Sequence, residues 1–369
     1  MTNKQLPPLG ATLDQIDTPA LCLDLDIFEA NTRAVAGACK THGKDWRPHS
    51  KCHKSPEIAR RQMEAGAIGV TCAKLGEAEV MAAGGVTDVL IANYVVGPLK
   101  IARLVELRRI ADPIVCVDHV DQLAPLGDAM QASGQTLRVL IEVDIGMQRA
   151  GVAAGEPTLE LARRVARRPG LQLAGVMGYE GHLLMLENGE EKRRKIHAAL
   201  DIVADAKQML EANDIPCGIV SCGGTGSYIY TVEHPAVTEL QAGGAVFMDA
   251  FYRNMCHVPD LEYAMSVIVT VVSRPAPNRA IIDAGRKTLN IEQTNPLVVD
   301  RPGVEVARLS AEHGLLQLAP EAQDLRIGER LTVIPGYSDL TAVLHDEFLG
   351  IRDGKLEVIW PLRGRGRLQ

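Results

Sequence analysis

Nine short β-rich segments recur along the first two thirds of the chain, at intervals too long for hairpins. They lie at 20–25, 46–51, 68–72, 89–92, 114–117, 137–144, 173–179, 219–222 and 237–247. Most are separated by stretches whose apolar residues recur every three or four positions, as at 27–39, 56–65 and 196–212. This alternation predicts an α/β fold with a parallel sheet. Because an open sheet usually holds fewer strands, we favour a (β/α)8 TIM-type barrel with one strand left over, although a doubly wound sheet gives a similar pattern.

The last third of the chain has a different pattern, with short or turn-rich connections and no helical periodicity. Its strand-like segments lie at 263–272, 279–283, 304–309, 331–334 and 356–360. We therefore expect a barrel at 28–257, followed by a mainly β domain at 258–369 that is joined by an N-terminal strand from 1–27. A length of 369 residues agrees with two domains of the usual size.

Composition excludes several classes of function. Lysine and arginine total 39 against 46 aspartates and glutamates, a formal net charge of −7, so no nucleic-acid partner is expected. No segment reaches the roughly 18 uninterrupted apolar residues of a membrane span, so no membrane partner is expected. The start of the chain lacks the apolar core of a signal peptide, which favours a cytoplasmic protein. The eight cysteines are scattered singly and predict reduced core thiols rather than a disulfide or zinc framework.

A lysine is the last residue of the second β-rich segment, where a barrel strand would end. Lys51 lies in the segment R-P-H-S-K-C-H-K-S-P. Barrels place their active sites at the carboxyl ends of the strands, and burial there would free the lysine amine for Schiff-base chemistry. The alternative is a solvated lysine in a loop. His49 and His53 have the spacing of a helical metal pair, but Pro48 disfavours the helix that this spacing requires.

A glycine-rich segment, C-G-G-T-G-S-Y, follows the strand predicted at 219–222. Main-chain amides converge easily at Gly224 because no Cβ hinders them, and the hydroxyl of Thr225 adds a donor, which suits a phosphate monoester. A second glycine pair, Gly243 and Gly244, would complete the same phosphate site. A tight turn that needs a positive φ explains such glycines equally well.

Arg149 and Tyr179 follow two further predicted strands. Each alone is compatible with a surface loop. With Lys51 and the glycine-rich segment, however, they fall at the same rim of the predicted barrel. A lysine, a phosphate loop, an arginine and a tyrosine at one rim are what pyridoxal phosphate would need.

Several motifs together resemble the D-threonine aldolase and D-serine dehydratase family of alanine-racemase-like, fold type III pyridoxal phosphate enzymes. They are T-P-A-L-C-L-D-L-D at 18–26, R-P-H-x-K-x-H-K-S around Lys51, G-E-A-E at 76–79, G-G-T-G-S-Y at 223–228 and F-M-D-A at 247–250. The resemblance implies that Lys51 forms the internal aldimine. It also implies that Arg149 lies near the phenolic oxygen of the cofactor, that Tyr179 lies beside the pyridine ring, and that the phosphate is held by Gly224, Thr225 and Gly243. It further implies a homodimer.

The chain departs from the family pattern at one motif. The family usually carries P-x-H-x-D or P-x-H-x-C, a metal pair whose divalent ion binds the β-hydroxyl of the substrate. This chain has P-G-Y-S-D, so Tyr337 stands at the His position and only Asp339 remains. A carboxylate and a phenol make a poor zinc site, whereas Mn²⁺ or Mg²⁺ held at Asp339 through waters is compatible with them. The structural alternative is that both side chains hydrogen-bond within the β domain.

Three activities on an amino-acid substrate follow from the resemblance. We favour an aldolase that cleaves a D-β-hydroxy amino acid, like D-threonine or D-3-hydroxyaspartate, to glycine and an aldehyde by retro-aldol chemistry, with Lys51 and Asp339 as catalytic groups. The second is a dehydratase like D-serine dehydratase, and the third is a racemase that uses Lys51 and Tyr337 as opposed bases. A non-catalytic cofactor carrier is the alternative outside enzymes.

Overall fold

A computed structural model describes residues 6–369, so residues 1–5 of the predicted N-terminal strand region lie outside the described residues. The strands are β1 (Ala20–Asp24), β2 (Asp45–Trp46), β3 (Val70–Cys72), β4 (Asp88–Ile91), β5 (Asp112–Val117), β6 (Leu137–Glu142), β7 (Leu171–Met177), β8 (Ile219–Cys222), β9 (Glu239–Leu240), β10 (Met265–Ala276), β11 (Arg279–Ile282), β12 (Leu297–Val298), β13 (Val304–Leu309), β14 (Gly314–Leu318), β15 (Arg330–Ile334), β16 (Glu347–Arg352) and β17 (Lys355–Pro361). The helices are α1 (Leu25–Thr41), α2 (Pro56–Glu64), α3 (Leu75–Ala83), α4 (Pro98–Ile110), α5 (Leu123–Ala132), α6 (Glu156–Ala166), α7 (Glu190–Glu211), α8 (Tyr228–Thr231) and α9 (Ser338–Ala342).

The chain divides into two compact units. The barrel unit comprises Arg33–Gly243, Cys256–Val258 and Arg363–Gln369. The β unit comprises the described residues up to Thr32 together with Gly244–Met255 and Pro259–Leu362. The functional domain limits expected from the sequence stay a prediction, because compactness alone does not define a functional domain.

The barrel unit confirms the predicted TIM-type barrel. Eight parallel strands follow the order β2-β9-β8-β7-β6-β5-β4-β3, and most successive strands are joined by a helix. The ring closes between the first and last strands, where His49 bridges Thr71 and the amide of Thr71 donates to the Pro48 carbonyl at 2.9 Å. A buried cluster of apolar side chains spans four of these strands and consists of Leu90, Ile114, Cys116, Leu140 and Met177.

Local sequence signals explain where the barrel helices begin and end. Helix α2 starts after Ser55 with Pro56 in its first turn, where the missing amide costs no hydrogen bond, and it ends before Gly66, whose φ is 112°. Helix α7 begins at Glu190, several residues before its predicted start at 196. Its first turn is acidic, and negative side chains stabilise a helix amino terminus although they break the apolar periodicity.

The β unit confirms the predicted mainly β architecture and contains the strand left over from the barrel. Strands β10, β11, β14, β13, β12 and β15 pair in a closed ring because β15 and β11 both pair with β10. Beyond β10 the sheet continues through β1, β16 and β17. Strand β1 runs antiparallel to β10 and parallel to β16.

The sequence prediction was wrong about several strands. Strands β12, β14 and β16 were missed, and the strand expected at 237–247 shrinks to the two residues of β9. In β16 the interior residue Gly350 weakens the strand signal, yet a Cβ there would lie 2.6 Å from Val358 and 3.0 Å from Leu25. Beyond β9 the glycine pair at 243 and 244 ends the extended run, and a 3-10 turn follows at Gly244–Val246.

The cysteine prediction is confirmed. All eight cysteines are buried and lie outside disulfides, and burial raises the pKa of the Cys22 thiol to about 12. Thiols of this kind behave as small apolar core residues. In the part of the chain that the structure describes, every helix is too short or too polar to cross a bilayer.

Candidate active site

Lys51 lies on a short turn after β2, the first barrel strand along the chain. After β2 the chain stays extended to His49, and a 3-10 turn at Ser50–Cys52 then carries the half-buried lysine. The His49 ring caps this turn because its Nδ1 accepts from the Lys51 amide at 3.4 Å. The predicted position of Lys51 at the rim of the barrel agrees with this geometry.

The two histidines around Lys51 each bind the local main chain through one ring nitrogen. Each ring accepts a main-chain amide, His49 from Lys51 and His53 from Ser55 at 3.0 Å. Burial lowers the pKa of His49 well below its ordinary value, and the charges of Lys51 and Lys54 lower it further. Burial also lowers the pKa of His53 to about 3. Both rings are therefore neutral near pH 7 and add no positive charge beside Lys51.

Arg149 and Tyr179 come together, as predicted. The Arg149 guanidinium carbon lies 5.5 Å from the centroid of the Tyr179 ring. Burial raises the pKa of the Tyr179 phenol, and the nearby positive charges of Lys51 and Arg149 oppose that rise. This electrostatic influence means that both cations act on the same phenol. The structure thus brings Lys51, Arg149 and Tyr179 to one end of the barrel.

A carboxylate that the sequence reasoning missed lies beside Arg149, and a tyrosine donates to that carboxylate. A carboxylate oxygen of Glu142 lies 3.6 Å from the Arg149 guanidinium, and the other accepts the Tyr94 hydroxyl at 2.7 Å. Burial and this hydrogen bond raise the pKa of Tyr94, which keeps the phenol a donor. Because the Arg149 side chain is 54% exposed, the ion pair is partly screened by water. The available signal was a glutamate at the carboxyl end of strand β6, whose three preceding residues are apolar.

The glycine-rich loop packs against Tyr179. A Cβ at Gly224 would lie 2.9 Å from Cε2 and 3.1 Å from Oη of that ring, so only glycine fits there. Thr225 follows and is 3% exposed. The Ser227 oxygen accepts the Gly224 amide at 3.2 Å, and its hydroxyl donates at 2.7 Å to Glu180, a buried carboxylate that the sequence reasoning also missed. The loop is therefore anchored from inside the barrel unit.

The second glycine pair is divided between the two units. Gly243 belongs to the barrel unit, and a Cβ there would collide with the main-chain carbonyl of His49. A close approach of two main chains explains this glycine, and its contact with a phosphate stays a prediction. Gly244 belongs to the β unit and begins a buried 3-10 turn.

Tyr337 and Asp339 lie in the β unit and contact each other. The Tyr337 hydroxyl donates to Oδ2 of Asp339 at 3.0 Å, and the Tyr337 ring packs against Phe251 with centroids 5.5 Å apart. The neighbouring amide of Ser338 donates at 2.7 Å to Asp249, the aspartate of the F-M-D-A motif. Burial raises the pKa of Asp249 to about 7, and the charge of Asp339 adds to the rise.

The residues around Asp339 fit a metal ion poorly. Across residues 6–369 no group of three or more His, Cys, Asp or Glu side chains is arranged to hold one. At Asp339 itself one carboxylate is hydrogen-bonded to a phenol, and a phenol at neutral pH is a weak ligand. The divalent ion expected at Asp339 stays a prediction, and no chemical step is derived through it.

Comparison with known proteins identifies the family. The model of the alanine racemase N-terminal domain matches residues 23–250, and that of a putative serine dehydratase domain matches residues 264–351. The chain therefore belongs to the alanine-racemase-like family of fold type III pyridoxal phosphate proteins, in its D-threonine aldolase and D-serine dehydratase branch.

Three relatives show how far the similarity extends. The chain is 40% identical to D-threonine aldolase of Arthrobacter sp over 366 residues, which are 98% of this chain and 97% of the relative. It is 36% identical to 3-hydroxy-D-aspartate aldolase of Paracoccus denitrificans (strain Pd 1222) over 369 residues, with 97% and 94% covered. The crystal structure of D-threonine aldolase from Filomicrobium marinum superposes with a TM-score of 0.95 at 40% identity, covering 98% of this chain and 99% of that one. Dehydratases of hydroxy amino acids are also similar, at 30% identity or less.

Proposed function

We propose that this protein is a pyridoxal phosphate-dependent lyase that cleaves a D-β-hydroxy amino acid into glycine and an aldehyde. The observation that carries the proposal is the similarity, along nearly the whole chain, to aldolases named for D-threonine and 3-hydroxy-D-aspartate. The cluster of Lys51, Arg149 and Tyr179 at one end of the barrel supports it, because these side chains offer an amine, a cation and an aromatic ring together.

The barrel residues fit the cofactor. Gly224 has no room for a Cβ on the side that faces Tyr179, Thr225 supplies a hydroxyl next to it, and the two cations of Lys51 and Arg149 suit an anionic group. When bound, pyridoxal phosphate supplies an electron sink for the electron pair of the bond that breaks. We propose that the Lys51 amine attaches the cofactor, that Tyr179 lies beside its ring, and that Gly224, Thr225, Gly243 and Gly244 surround its phosphate.

Retro-aldol cleavage requires removal of the β-hydroxyl proton while the Cα–Cβ bond breaks. We propose that the Asp339 carboxylate takes this proton and that Tyr337 acts by holding the carboxylate through its 3.0 Å hydrogen bond. A dehydratase instead requires a strong Lewis acid on the leaving hydroxyl, and the Tyr337 and Asp339 pair supplies that help least well. The motif therefore favours cleavage over elimination.

We propose further that the protein is a cytoplasmic homodimer. The dimer rests on the family resemblance. The cytoplasm is supported by the burial of all eight cysteines outside disulfides, since secreted proteins of an oxidising compartment more often carry disulfides.

The test is proton NMR in D₂O of the cofactor-loaded protein with D-threonine and with D-3-hydroxyaspartate. The expected products are glycine and an aldehyde. Deuterium entering Cα without cleavage would move the assignment to a racemase, and a keto acid with ammonia would move it to a dehydratase. The variant Lys51→Ala should fold, lose covalent cofactor and lose all turnover. Turnover that survives in Lys51→Ala would show that another lysine carries the cofactor.

A further inference from the structure

A buried carboxylate contacts both sides of the turn that carries Lys51. Glu77 lies in the first turn of α3 and is 0% exposed. Its Oε1 accepts the Ser50 hydroxyl at 2.5 Å, and its Oε2 accepts the Lys54 amine at 3.0 Å and the Ala73 amide at 3.1 Å. Ser50 immediately precedes Lys51, and Lys54 follows it by three residues. One carboxylate thus fixes the turn before and after the lysine.

The main chain holds Lys54 toward this carboxylate. Lys54 has a φ of 49°, a left-handed conformation that non-glycine residues rarely adopt. Its amide donates to the Ser50 carbonyl at 2.7 Å, and its carbonyl accepts the Gly364 amide at 2.8 Å. Because Lys54 is only 5% exposed, its amine lies in the protein interior and is occupied by Glu77.

We infer that Glu77 is a positioning residue with two effects, and the inference rests on the proposed role of Lys51. It fixes the turn that presents the Lys51 amine, and it keeps the Lys54 amine engaged, so that only one of two neighbouring lysines attaches the cofactor. Attachment joins an amine nitrogen to the aldehyde carbon of the cofactor with loss of one water, and it needs the nitrogen lone pair. An ammonium that donates to a buried carboxylate has no free lone pair.

The ion pair between Glu77 and Lys54 is what keeps the Lys54 amine from attaching the cofactor. A buried ammonium and carboxylate depend on each other, because removal of one leaves an unpaired charge in a medium of low dielectric. The variant Glu77→Gln keeps the size of the side chain and removes its charge. The Lys54 amine then loses its ion pair and can bind another group. The variant Ser50→Ala keeps the ion pair and removes the Ser50 hydroxyl, with its contacts to Glu77 and to the Thr71 carbonyl at 3.0 Å.

The experiment reduces the cofactor-loaded protein with borohydride and locates the labelled lysine by peptide mass spectrometry, together with a titration of cofactor affinity. In the unmodified protein we expect the label on Lys51. In Glu77→Gln we expect cofactor affinity to fall about tenfold, as for loss of one charge-assisted hydrogen bond, and part of the label to move to Lys54. In Ser50→Ala we expect a smaller loss of affinity with the label still on Lys51.

The matched control is Glu239→Gln, which removes the carboxylate of another buried ion pair in the barrel, 3.1 Å from Arg47. It should lower the thermal midpoint while leaving the affinity and the label unchanged. Wild-type affinity and labelling in Glu77→Gln would overturn the inference and leave the proposed function intact. If Glu77→Gln does not fold, unchanged affinity in Ser50→Ala overturns it instead. Absence of label from Lys51 in the unmodified protein would instead refute the proposed attachment of the cofactor at Lys51, on which the inference rests.

Discussion

Substitution of Gly224 by alanine tests whether the glycine-rich loop and Tyr179 form one rigid cofactor site. The added methyl would lie 2.9 Å from Cε2, 3.1 Å from Oη and 3.4 Å from Cζ of the Tyr179 ring. The ring has little room to retreat, because a Cβ at Gly181, across the ring, would lie only 2.5 Å from Cε1. Either the loop or the ring must therefore move from the position that we propose for cofactor binding.

The size of the effect follows from the cost of overpacking. One methyl forced into a packed site costs about 1–3 kcal/mol. If most of that cost is relieved by moving Tyr179 or the loop, it appears as weaker cofactor binding, a rise in Kd of roughly 5- to 150-fold. Stability of the protein without cofactor should fall by no more than this cost, since the loop stays anchored through Ser227 and Glu180.

The assay is a cofactor titration followed by visible absorbance, with thermal unfolding of the protein measured beside it. Gly218→Ala is the matched control, since a Cβ there would meet only the Ala174 carbonyl at 3.8 Å, an ordinary contact. It should leave the Kd unchanged. A Kd for Gly224→Ala within twofold of the unmodified protein would refute the reasoning, because it would mean that the ring and the loop do not define the site together.

Two further predictions concern the surroundings of the same residues. Glu142→Gln removes the negative charge beside Arg149 and keeps a hydrogen-bond partner for Tyr94. We expect kcat/KM, measured by glycine release, to fall about tenfold with little change in the thermal midpoint. An unchanged kcat/KM would show that Arg149 does not need the Glu142 charge. The second prediction is that His53 makes stability depend on pH. Burial, with the charge of Lys54, lowers the pKa of His53 to about 3, below the 6.5 of the unfolded chain. Between these two pH values the unfolded chain is protonated at His53 and the folded protein is not. The free energy of unfolding therefore decreases as the pH falls from 6.5 toward 3. Urea unfolding at about pH 7 and about pH 5 should show a smaller acid-induced loss in His53→Asn than in the unmodified protein, and an equal loss in both would exclude His53 as its source.

The sequence predicted the strands of the barrel well because they are short, apolar and separated by helices of regular period. It could not predict the helix start at Glu190, where charge rather than apolar spacing stabilises the first turn. Strand β16 was hidden by Gly350, whose small size is required by packing against Val358 and Leu25 and is not visible in a local propensity.

The candidate active site was also predicted only in part. Lys51, Arg149 and Tyr179 follow strand ends, so their approach to one another could be expected from the barrel alone. Glu77, Glu142 and Glu180 could not, because each is a buried carboxylate whose partners lie far away in sequence. Buried polar residues that hydrogen-bond to other polar side chains leave no periodic pattern in the sequence. Only the folded chain shows which groups they bind.

The position of the ring closure has a consequence for how this barrel holds together. His49 lies between Thr71 on one side and Gln241 on the other, whose carbonyl accepts the His49 amide at 3.0 Å. Strand β2 has only two residues, as does its neighbour β9, so few main-chain hydrogen bonds hold the segment that leads directly into Lys51. A ligand attached to Lys51 and held by the loop after β8 would link β2 to β8 across β9. Ligand occupancy and closure of the barrel are then coupled, and the free energy of binding adds to the free energy of unfolding.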